Sequence, residues 1–482
     1  MARGLFATKS VGELAGEAES TQQLRRELSV VSLTAFGIGS IIGTGIFVLT
    51  GTAAANHAGP ALALSFILAG SGCALAALCY AEFAAMMPVS GSAYSYAYAV
   101  FGELIAWFIG WNLVLEYTFS VATVAVGWSA YVVSLLAQLG VHLPDALTSA
   151  PYDRGGGSLG IAATGALINL PAVVIVAAVT AVCYVGIRQS SGTNTVIVVV
   201  KIAVVAMFVL FGVSHVDPGN WRPFIPPNTG HFGEFGWSGV FAASGVIVFA
   251  YIGFDTISTV AQEARHPQRD LPRSILASLA ICTVLYMATA IVLTGMVHYT
   301  KLNVAAPVAL ALDQHAELRW LGLPVKIGAI AGMTSVILVM TVGQARIFMT
   351  MGYDGMLPAW FERVHRRFKT PANGTVVTGL AAALIGGLFP VHILGELVSI
   401  GTLLAFITVC VGVLVLRQTR PDLPRSFRVP WPWFTCVGGT VACTAMTLSL
   451  PADTWIRLIV WTVIGLLIYA FFGYRHSRLR RP

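Results

Sequence analysis

The hydrophobic residues of this chain form long apolar segments with short polar stretches between them, from near Ser29 to near Tyr474. A helix needs about 17 to 25 predominantly apolar residues to cross a bilayer. The pattern therefore predicts an all-α membrane protein with twelve transmembrane helices. The predicted spans are residues 29–54, 60–87, 102–138, 161–187, 191–214, 236–258, 275–298, 323–352, 374–391, 393–417, 431–450 and 453–474.

The first predicted span is interrupted by four glycines, a serine and a threonine within residues 36–47. Lipid offers no water to the backbone groups that a weakened helix releases, so non-helical backbone at this depth has to line a cavity or meet a ligand. Glycine lowers the cost of non-helical dihedral angles and leaves N–H and C=O groups open to a small polar guest. The segment is a candidate binding site, and close helix packing through small residues is the alternative.

The sixth predicted span has a similar interruption, with Ser244 and Gly245 followed by Gly253 and Asp255. Breaks in helices one and six are what an inverted repeat of five plus five helices predicts, with a site between them near the midplane. The predicted division of the chain is a cytoplasmic tail (1–28), a first repeat with helices 1–5 (29–214), a second repeat with helices 6–10 (215–417), and helices 11 and 12 with a cytoplasmic C-terminus (418–482).

The composition agrees with a membrane protein. Hydrophobic residues make up 56% of the chain and charged residues only 10%, with a mean hydropathy of +0.79, whereas about a quarter of the residues of a soluble domain are charged. The first thirty residues carry several charges and contain no short apolar core with a cleavage site, so they do not form a secretory signal peptide. We therefore expect the N-terminal tail to stay in the cytoplasm.

The net charge of +7 is explained by the positions of the basic residues. Of the 28 lysines and arginines, 21 lie in the segments on the side of both termini, six lie on the opposite side and Lys201 lies within a span. This bias is the positive-inside signature, which predicts cytoplasmic termini. The basic excess indicates topology and contact with anionic lipid, with no nucleic-acid partner. The predicted location is the plasma (inner) membrane.

Several kinds of chemistry are excluded by the sequence. All seven cysteines fall inside predicted spans without metal-ligand spacing, and the ten histidines lie in loops or near span ends. The chain has no phosphate-binding loop and no His-Glu-x-x-His sequence. We find no cluster of a nucleophile with a base or metal at one depth. The sequence therefore predicts neither a metal, nor a cofactor, nor an enzyme.

Five motifs together resemble the amino acid-polyamine-organocation superfamily, and the bacterial homologues of its cationic amino acid transporters are the most similar. The resemblance extends from about Arg25 to Tyr474. It implies a LeuT-like fold, in which the two C-terminal helices are additions to the five-plus-five repeat, and a function in transport. The motifs are residues 39–47, 88–96, 253–255, 263–272 and 346–358.

A zwitterionic amino acid needs hydrogen-bond donors for its carboxylate and acceptors for its ammonium, and an unwound helix offers both. The N–H groups of Gly43, Thr44 and Gly45 stand at the start of the second half-helix, where the helix dipole favours an anion, so we assign them to the carboxylate. The carbonyls assigned to the ammonium are those of Ile41, Phe249, Ala250 and Ile252. By resemblance, these positions are the ones the family uses. For Phe249 and Ile252, plain packing is the alternative to a role in binding.

Two features predict access to the site and its selectivity. Phe249 and Tyr251 add aromatic surface that can cover a bound substrate, so one of them is a predicted gate. The family also draws its side-chain pocket from the third and eighth spans, where this chain offers Met340. A thioether there shortens the pocket and provides no counter-charge for a basic side chain. Small neutral amino acids are therefore favoured over cationic ones.

Three ionisable residues in predicted spans are candidates for proton coupling. Lys201 lies near the middle of the fifth span, where a charge costs about 3 kcal/mol or more. In proton-driven members of the family a lysine resembling Lys201 replaces the sodium ion of other relatives. The alternative is a permanently charged pin bonded to carbonyls of the first span. Glu116 and Asp255 either relay the proton or hold two helices together.

The predicted function is proton-coupled symport of L-amino acids into the cell by alternating access, with the proton as coupling ion. An exchanger and a carrier of cationic amino acids or polyamines are the alternatives within transport. A sensor that binds an amino acid without moving it is the alternative from another class. The predicted partners are an L-amino acid and membrane lipids. The sequence leaves open the oligomeric state and a small single-helix membrane subunit.

Overall fold

The structure of the protein is a computed structural model. It describes residues 5–9, 28–89, 91–154, 161–186 and 191–480. Most of the predicted tail, Ser90 of the second motif, and the basic residues Arg3, Arg25, Arg26, Arg188 and Arg481 lie outside these ranges. The longer helices are α1 (Val30–Ile41), α2 (Leu62–Met86), α3 (Ser92–Val100), α4 (Glu103–Gln138), α5 (Leu170–Val185), α6 (Ser191–Gly212), α7 (Gly236–Ile247), α8 (Pro267–Met296), α9 (Pro307–Asp313), α10 (Arg319–Tyr353), α11 (Ala372–Leu388), α12 (Val391–Thr419), α13 (Pro432–Leu448) and α14 (Ala452–Ile468).

One short hairpin is the only sheet among the described residues. Strands β1 (Tyr152–Arg154) and β2 (Ile161–Ala163) pair antiparallel, with Tyr152 opposite Ala163. The apolar pattern did not predict this hairpin, because three-residue strands in a polar loop have no extended alternation for the pattern to detect. Helices account for nearly all other regular structure, which confirms the all-α class.

Eight helical runs of the described chain are long and apolar enough to cross a membrane. Each of the twelve predicted spans contains helix, but the count of twelve and the inverted repeat stay predictions. Three further apolar helices, α1, α5 and α11, are shorter. The eight runs are Gly45–Met86, Glu103–Gln138, Val196–His215, Gly236–Thr259, Pro267–Met296, Ala316–Tyr353, Val391–Thr419 and Ala452–His476.

The first predicted span is broken, as its glycines suggest. Helix α1 ends at Ile41, and Ile42 is extended, with φ −73° and ψ 102°. Helical structure resumes as a π-helical turn over Gly45–Leu49 and continues through Thr50–Ala53 and Ala54–Ala58. We call residues 42–44 the first break.

The sixth predicted span is also broken. Helix α7 passes into a 3₁₀ turn over Val248–Tyr251, Ile252 is extended, and a short helix follows at Thr256–Thr259. Gly253 has φ +123°, which only glycine adopts readily. We call residues 252–255 the second break.

The broken spans lie in the interior of the bundle. In the most apolar part of Gly236–Thr259, 94% of the residues are buried, whereas the figure for Ala452–His476 is 22%. The second half of the chain therefore contributes both an interior span that carries a break and a peripheral last helix. Around the two breaks pack α4, α8 and α10, of which α4 and α10 make the most extensive contact with each other.

The first and last described segments of the chain meet at one end of the bundle. Lys9 forms a buried salt bridge with Asp354, which also accepts a hydrogen bond from Tyr94 at 2.5 Å. At the other end of the chain, Arg480 pairs with the fully buried Glu103 at 2.9 Å. The first and last described residues therefore lie on the same side of the structure.

Candidate functional site

The two broken spans contact each other directly, next to their breaks. A Cβ atom added to Gly45 would lie 2.4 Å from the Cα atom of Ala250. A Cβ atom on Gly253 would lie 2.8 Å from the carbonyl carbon of Ser40. Only glycine allows backbones to approach so closely. The breaks thus bring Gly45 and Ala250, two of the predicted substrate-binding residues, to one place.

The carbonyl groups around the first break accept hydrogen bonds from two other helices. Lys201 on α6 donates from Nζ to the carbonyl of Gly39 at 2.6 Å and to that of Ile42 at 3.0 Å. Tyr286 on α8 donates to the carbonyl of Ile41 at 2.8 Å. A carbonyl oxygen has two lone pairs, so the Ile41 oxygen can accept a second bond from a ligand. Lys201 is 1% exposed, and the ammonium at the end of its side chain lies at the break.

The second half of the first span presents its first-turn N–H groups at the break. The carbonyl of Gly43 accepts bonds from the N–H groups of Ile46 at 3.2 Å and Phe47 at 3.3 Å, so helical bonding starts there. The N–H groups of Gly43, Thr44 and Gly45 are therefore first-turn donors, which a helix leaves without partners in its own backbone. Their assignment to a substrate carboxylate stays a prediction.

One face of α10 lies against the first break and is apolar. Val336 is 3.0 Å from the position of a Cβ atom on Gly43, and Met333 receives a bond from the Thr44 hydroxyl at 3.3 Å. Met340 follows Val336 by one turn and is buried. Residues three or four apart share a helix face, so the predicted pocket residue Met340 belongs to the face that meets the break.

The two candidate carboxylates lie beside the second break, away from Lys201's contacts. Asp255 accepts bonds from the Tyr117 hydroxyl at 2.8 Å and from the N–H of Gly253 at 3.2 Å. Glu116 is buried and directly precedes Tyr117 on α4, so it lies one residue from a partner of Asp255. The structure thus forms two polar groups, Lys201 at the first break and the carboxylate pair at the second. Their part in proton coupling stays a prediction.

The two predicted gate residues have different surroundings. Tyr251 is fully buried, and its hydroxyl donates to the carbonyl of Phe66 at 3.0 Å. Phe249 retains 6% exposure, and its carbonyl accepts a bond from the N–H of Ile252 at 3.2 Å. This internal bond takes one of the two lone pairs that the prediction reserved for the substrate ammonium. Both gate assignments stay predictions.

An ion pair joins the end of the sixth span to α10. Arg346 bonds to Glu263 at 2.6 Å and donates to the carbonyl of Thr259 at 3.2 Å. This contact lies on the side of the site where the two chain ends also meet. It bridges the broken span and the long helix that packs against it.

Several contacts were missed by sequence reasoning. Tyr117, Tyr286, Met333 and Val336 were not predicted, although they touch the breaks. The spacing of Met333 and Val336 relative to Met340 was a usable signal, since it places them on one face of a helix. Tyr117 and Tyr286 gave no such signal, because a tyrosine in an apolar run is ordinarily a packing residue. Among the described residues, no group of three or more His, Cys, Asp or Glu could hold a metal.

Comparison with known proteins relates the chain to transporters. The family model described as amino acid permease matches residues 28–469. The methylthioribose transporter of Bacillus subtilis is 44% identical over 99% of both chains. The branched-chain amino acid permease BcaP of the same species is also 44% identical, over the whole of both chains.

A more distant relative is found in plants. The vacuolar cationic amino acid transporter 4 of Arabidopsis thaliana is 38% identical over 84% of this chain and 65% of its own length. These relatives are transporters, which confirms that the chain is not an enzyme, and the family implies an amino acid substrate and a multi-pass membrane protein. The superfamily resemblance seen in the glycine-rich motifs is thereby confirmed. The chain belongs to the amino acid permease family.

Proposed function

We propose that this protein imports L-amino acids together with a proton by alternating access, and that small neutral side chains are favoured. Two observations carry the proposal. The two broken spans contact each other, and Lys201 bonds to the carbonyls of Gly39 and Ile42 at the first break. A titratable cation at the substrate site links its own proton to the geometry of that site.

The backbone of the substrate is matched by backbone groups of the protein. The first-turn N–H groups of Gly43, Thr44 and Gly45 suit a carboxylate, because a helix N-terminus carries partial positive charge. Ala250, whose carbonyl we assign to the substrate ammonium, belongs to the second broken span and contacts Gly45 through its Cα and Cβ atoms. A zwitterion bound between the breaks would contact both broken spans, so its binding would draw them together.

The side chain of the substrate would face α10. Met333, Val336 and Met340 offer apolar surface and no counter-charge, which favours a neutral side chain over a basic one. Branched-chain amino acids are a second candidate class, because two of the relatives are named branched-chain amino acid permeases, at 44% and 34% identity. The relative named for methylthioribose is as similar as the first of these, so overall identity does not select the substrate.

Proton coupling would operate through the Lys201 ammonium. The charged form holds the carbonyls of Gly39 and Ile42, whereas the neutral amine keeps two N–H groups but loses the positive charge that strengthens both bonds. Loss of the proton would therefore loosen the first break and favour release of substrate. A permanently charged structural pin would make the same two bonds, so the two roles have to be separated by experiment.

Two variants of Lys201 separate these roles in proteoliposomes. Lys201→Arg keeps a positive charge that does not titrate. We expect it to retain substrate counterflow and lose proton-driven accumulation, and Lys201→Ala to lose accumulation as well. Lys326→Ala, which removes a buried lysine paired with Asp313, is the matched control and should accumulate substrate. Accumulation by Lys201→Arg at the wild-type level would identify Lys201 as a pin.

Accumulation and counterflow also distinguish symport from exchange and from sensing, and competition assays distinguish it from transport of cationic substrates. An exchanger would show counterflow without response to a proton gradient, and a sensor would bind substrate without either activity. A carrier of cationic amino acids or polyamines would be inhibited by lysine or spermidine in competition assays. We further propose a location in the plasma (inner) membrane with both termini in the cytoplasm, on the basis of the bias of basic residues.

A further inference from the structure

Five polar side chains on α2, α3 and α4 are buried without a complete set of hydrogen bonds. No partner is present in the described structure for the hydroxyls of Tyr80, Tyr96 and Ser120, for Oδ1 of Asn112 or for Oε1 of Glu116. Each of the five residues is at most 1% exposed. Only Glu116 among them was assigned to proton coupling.

Three of these residues form a stripe along α4. Asn112, Glu116 and Ser120 are four residues apart, so their side chains follow one another on one face of the helix. Helix α12 covers this stripe, since a Cβ atom on Gly401 would lie 3.5 Å from the Asn112 carbonyl. Thr402 is near Glu116 but donates its hydroxyl to the Val398 carbonyl at 3.0 Å.

The two tyrosines close the same space from α2 and α3. The Tyr80 ring packs edge-on against Tyr96 at 6.2 Å, against Phe254 of the second break at 5.7 Å and against Phe406 of α12 at 5.6 Å. Tyr117, which follows Glu116 on α4, bonds to Asp255, and Asp255 follows Phe254 in the second break. The tyrosines and the α4 stripe therefore surround one polar region.

The Ser258 hydroxyl close to Tyr96 already donates its proton to other groups. Ser258 is close to Tyr96, but its hydroxyl bonds to the carbonyl of Asp255 at 2.6 Å and to Ser92 at 3.1 Å. A buried polar group without a partner destabilises a folded protein, because it has lost its hydrogen bonds to water. Five such groups on neighbouring helices would therefore be costly unless they have partners.

We propose that bound water occupies this region and forms a hydrated path between Glu116 and the second break. Buried water typically makes two to four hydrogen bonds to polar groups that otherwise lack partners. Five donors and acceptors around one region match that requirement. The second part of this inference rests on the proposed function, in which the water would pass a proton to or from Glu116.

Other buried tyrosines provide an internal comparison. Tyr131 and Tyr286 are as buried as Tyr80 and Tyr96, but their hydroxyls donate to the carbonyls of Phe47 and Ile41, each at 2.8 Å. They therefore need no water. The difference between the two pairs is the partner of the hydroxyl and not the degree of burial.

Radiolytic labelling of the purified full-length protein tests the water directly. An X-ray pulse produces hydroxyl radicals from bound water, and mass spectrometry then locates the oxidised side chains. We expect oxidation of Tyr80 and Tyr96 and protection of Tyr131. Protection of all three tyrosines would overturn the proposal, whatever the outcome of the Lys201 experiments.

A double variant tests the role of the water in transport. Asn112→Leu with Ser120→Ala removes two polar partners, so we expect weaker labelling of Tyr80 together with loss of proton-driven accumulation and retention of counterflow. The control is Thr440→Ala, which removes a hydroxyl bonded to its own helix on α13. If the double variant loses labelling but accumulates substrate normally, the water is structural and the proton path is wrong.

Discussion

The close contact between the two broken spans at Ala250 depends on a single glycine. At Gly45 the space that a methyl group would occupy is filled by the backbone and side chain of Ala250, at 2.4 and 2.6 Å. Backbone atoms cannot rotate away as the end of a flexible side chain can. Gly45 is therefore required by tertiary contact, in addition to any role of its N–H in binding.

We predict that Gly45→Ala separates the breaks. Overpacking in a core typically costs about 1 to 3 kcal/mol, so the apparent unfolding temperature should fall and substrate binding should be lost. Gly438→Ala is the control, because its nearest neighbour, Leu75, lies at 3.4 Å, an ordinary contact distance. Thermal unfolding in detergent with and without amino acid measures both effects. Wild-type binding by Gly45→Ala would contradict the contact.

Met340 supports a second prediction for a single residue. Met340→Gly should widen the substrate range toward longer or cationic side chains, because it removes apolar bulk from the face of α10 that meets the first break. Competition by the twenty amino acids against uptake of a labelled substrate checks this. The control is Met287→Gly on α8, which changes the same residue type at a partly buried position. An unchanged competition profile would remove Met340 from the pocket.

At the scale of elements, α4 is held at its start by the N-terminal segment of the chain. The N–H groups of Glu103 and Leu104 donate to the carbonyls of Ala7 and Leu5, each at 3.1 Å. First-turn N–H groups need such external partners. Lys9 then fastens the segment to Asp354 at the end of α10. The segment thus joins the two long helices whose other parts pack around the breaks.

We predict that Lys9→Ala loosens this connection. Removing one partner of a buried salt bridge costs about 3 to 5 kcal/mol, because the remaining charge loses its closest compensation. The apparent unfolding temperature of the detergent-purified protein should therefore fall. Lys301→Ala, at an exposed position, should leave it unchanged. Equal stability of the two variants would show that the Lys9 pair contributes nothing.

At the scale of the whole molecule, the bias of basic residues makes a prediction about orientation. All seven native cysteines are buried, so single cysteines added at exposed positions give little background. Ser149→Cys should react with a membrane-impermeant maleimide on intact cells, and Thr419→Cys only after lysis. The reverse pattern would invert the proposed topology.

Hydropathy alone was enough to predict an all-α membrane protein, because a lipid environment requires long apolar helices whatever their arrangement. The glycine content of the first and sixth spans was enough to locate both breaks, since glycine permits the local dihedral angles that other residues resist. The bounds of α4 and α10 were also close to the predicted ones, because both are long and continuously apolar.

Which residues bond to the breaks was decided by the tertiary structure. Lys201 bonds to a carbonyl 162 residues away, and Tyr117 bonds to a carboxylate 138 residues away. Local sequence patterns carry no information about such contacts, because they depend on how whole helices pack. For the same reason, the polar stripe of Asn112, Glu116 and Ser120 was visible as a spacing, but the tyrosines that enclose it come from other helices. The chain thus encodes its membrane helices and their weak points locally, and the chemistry at those points arises only when distant spans meet.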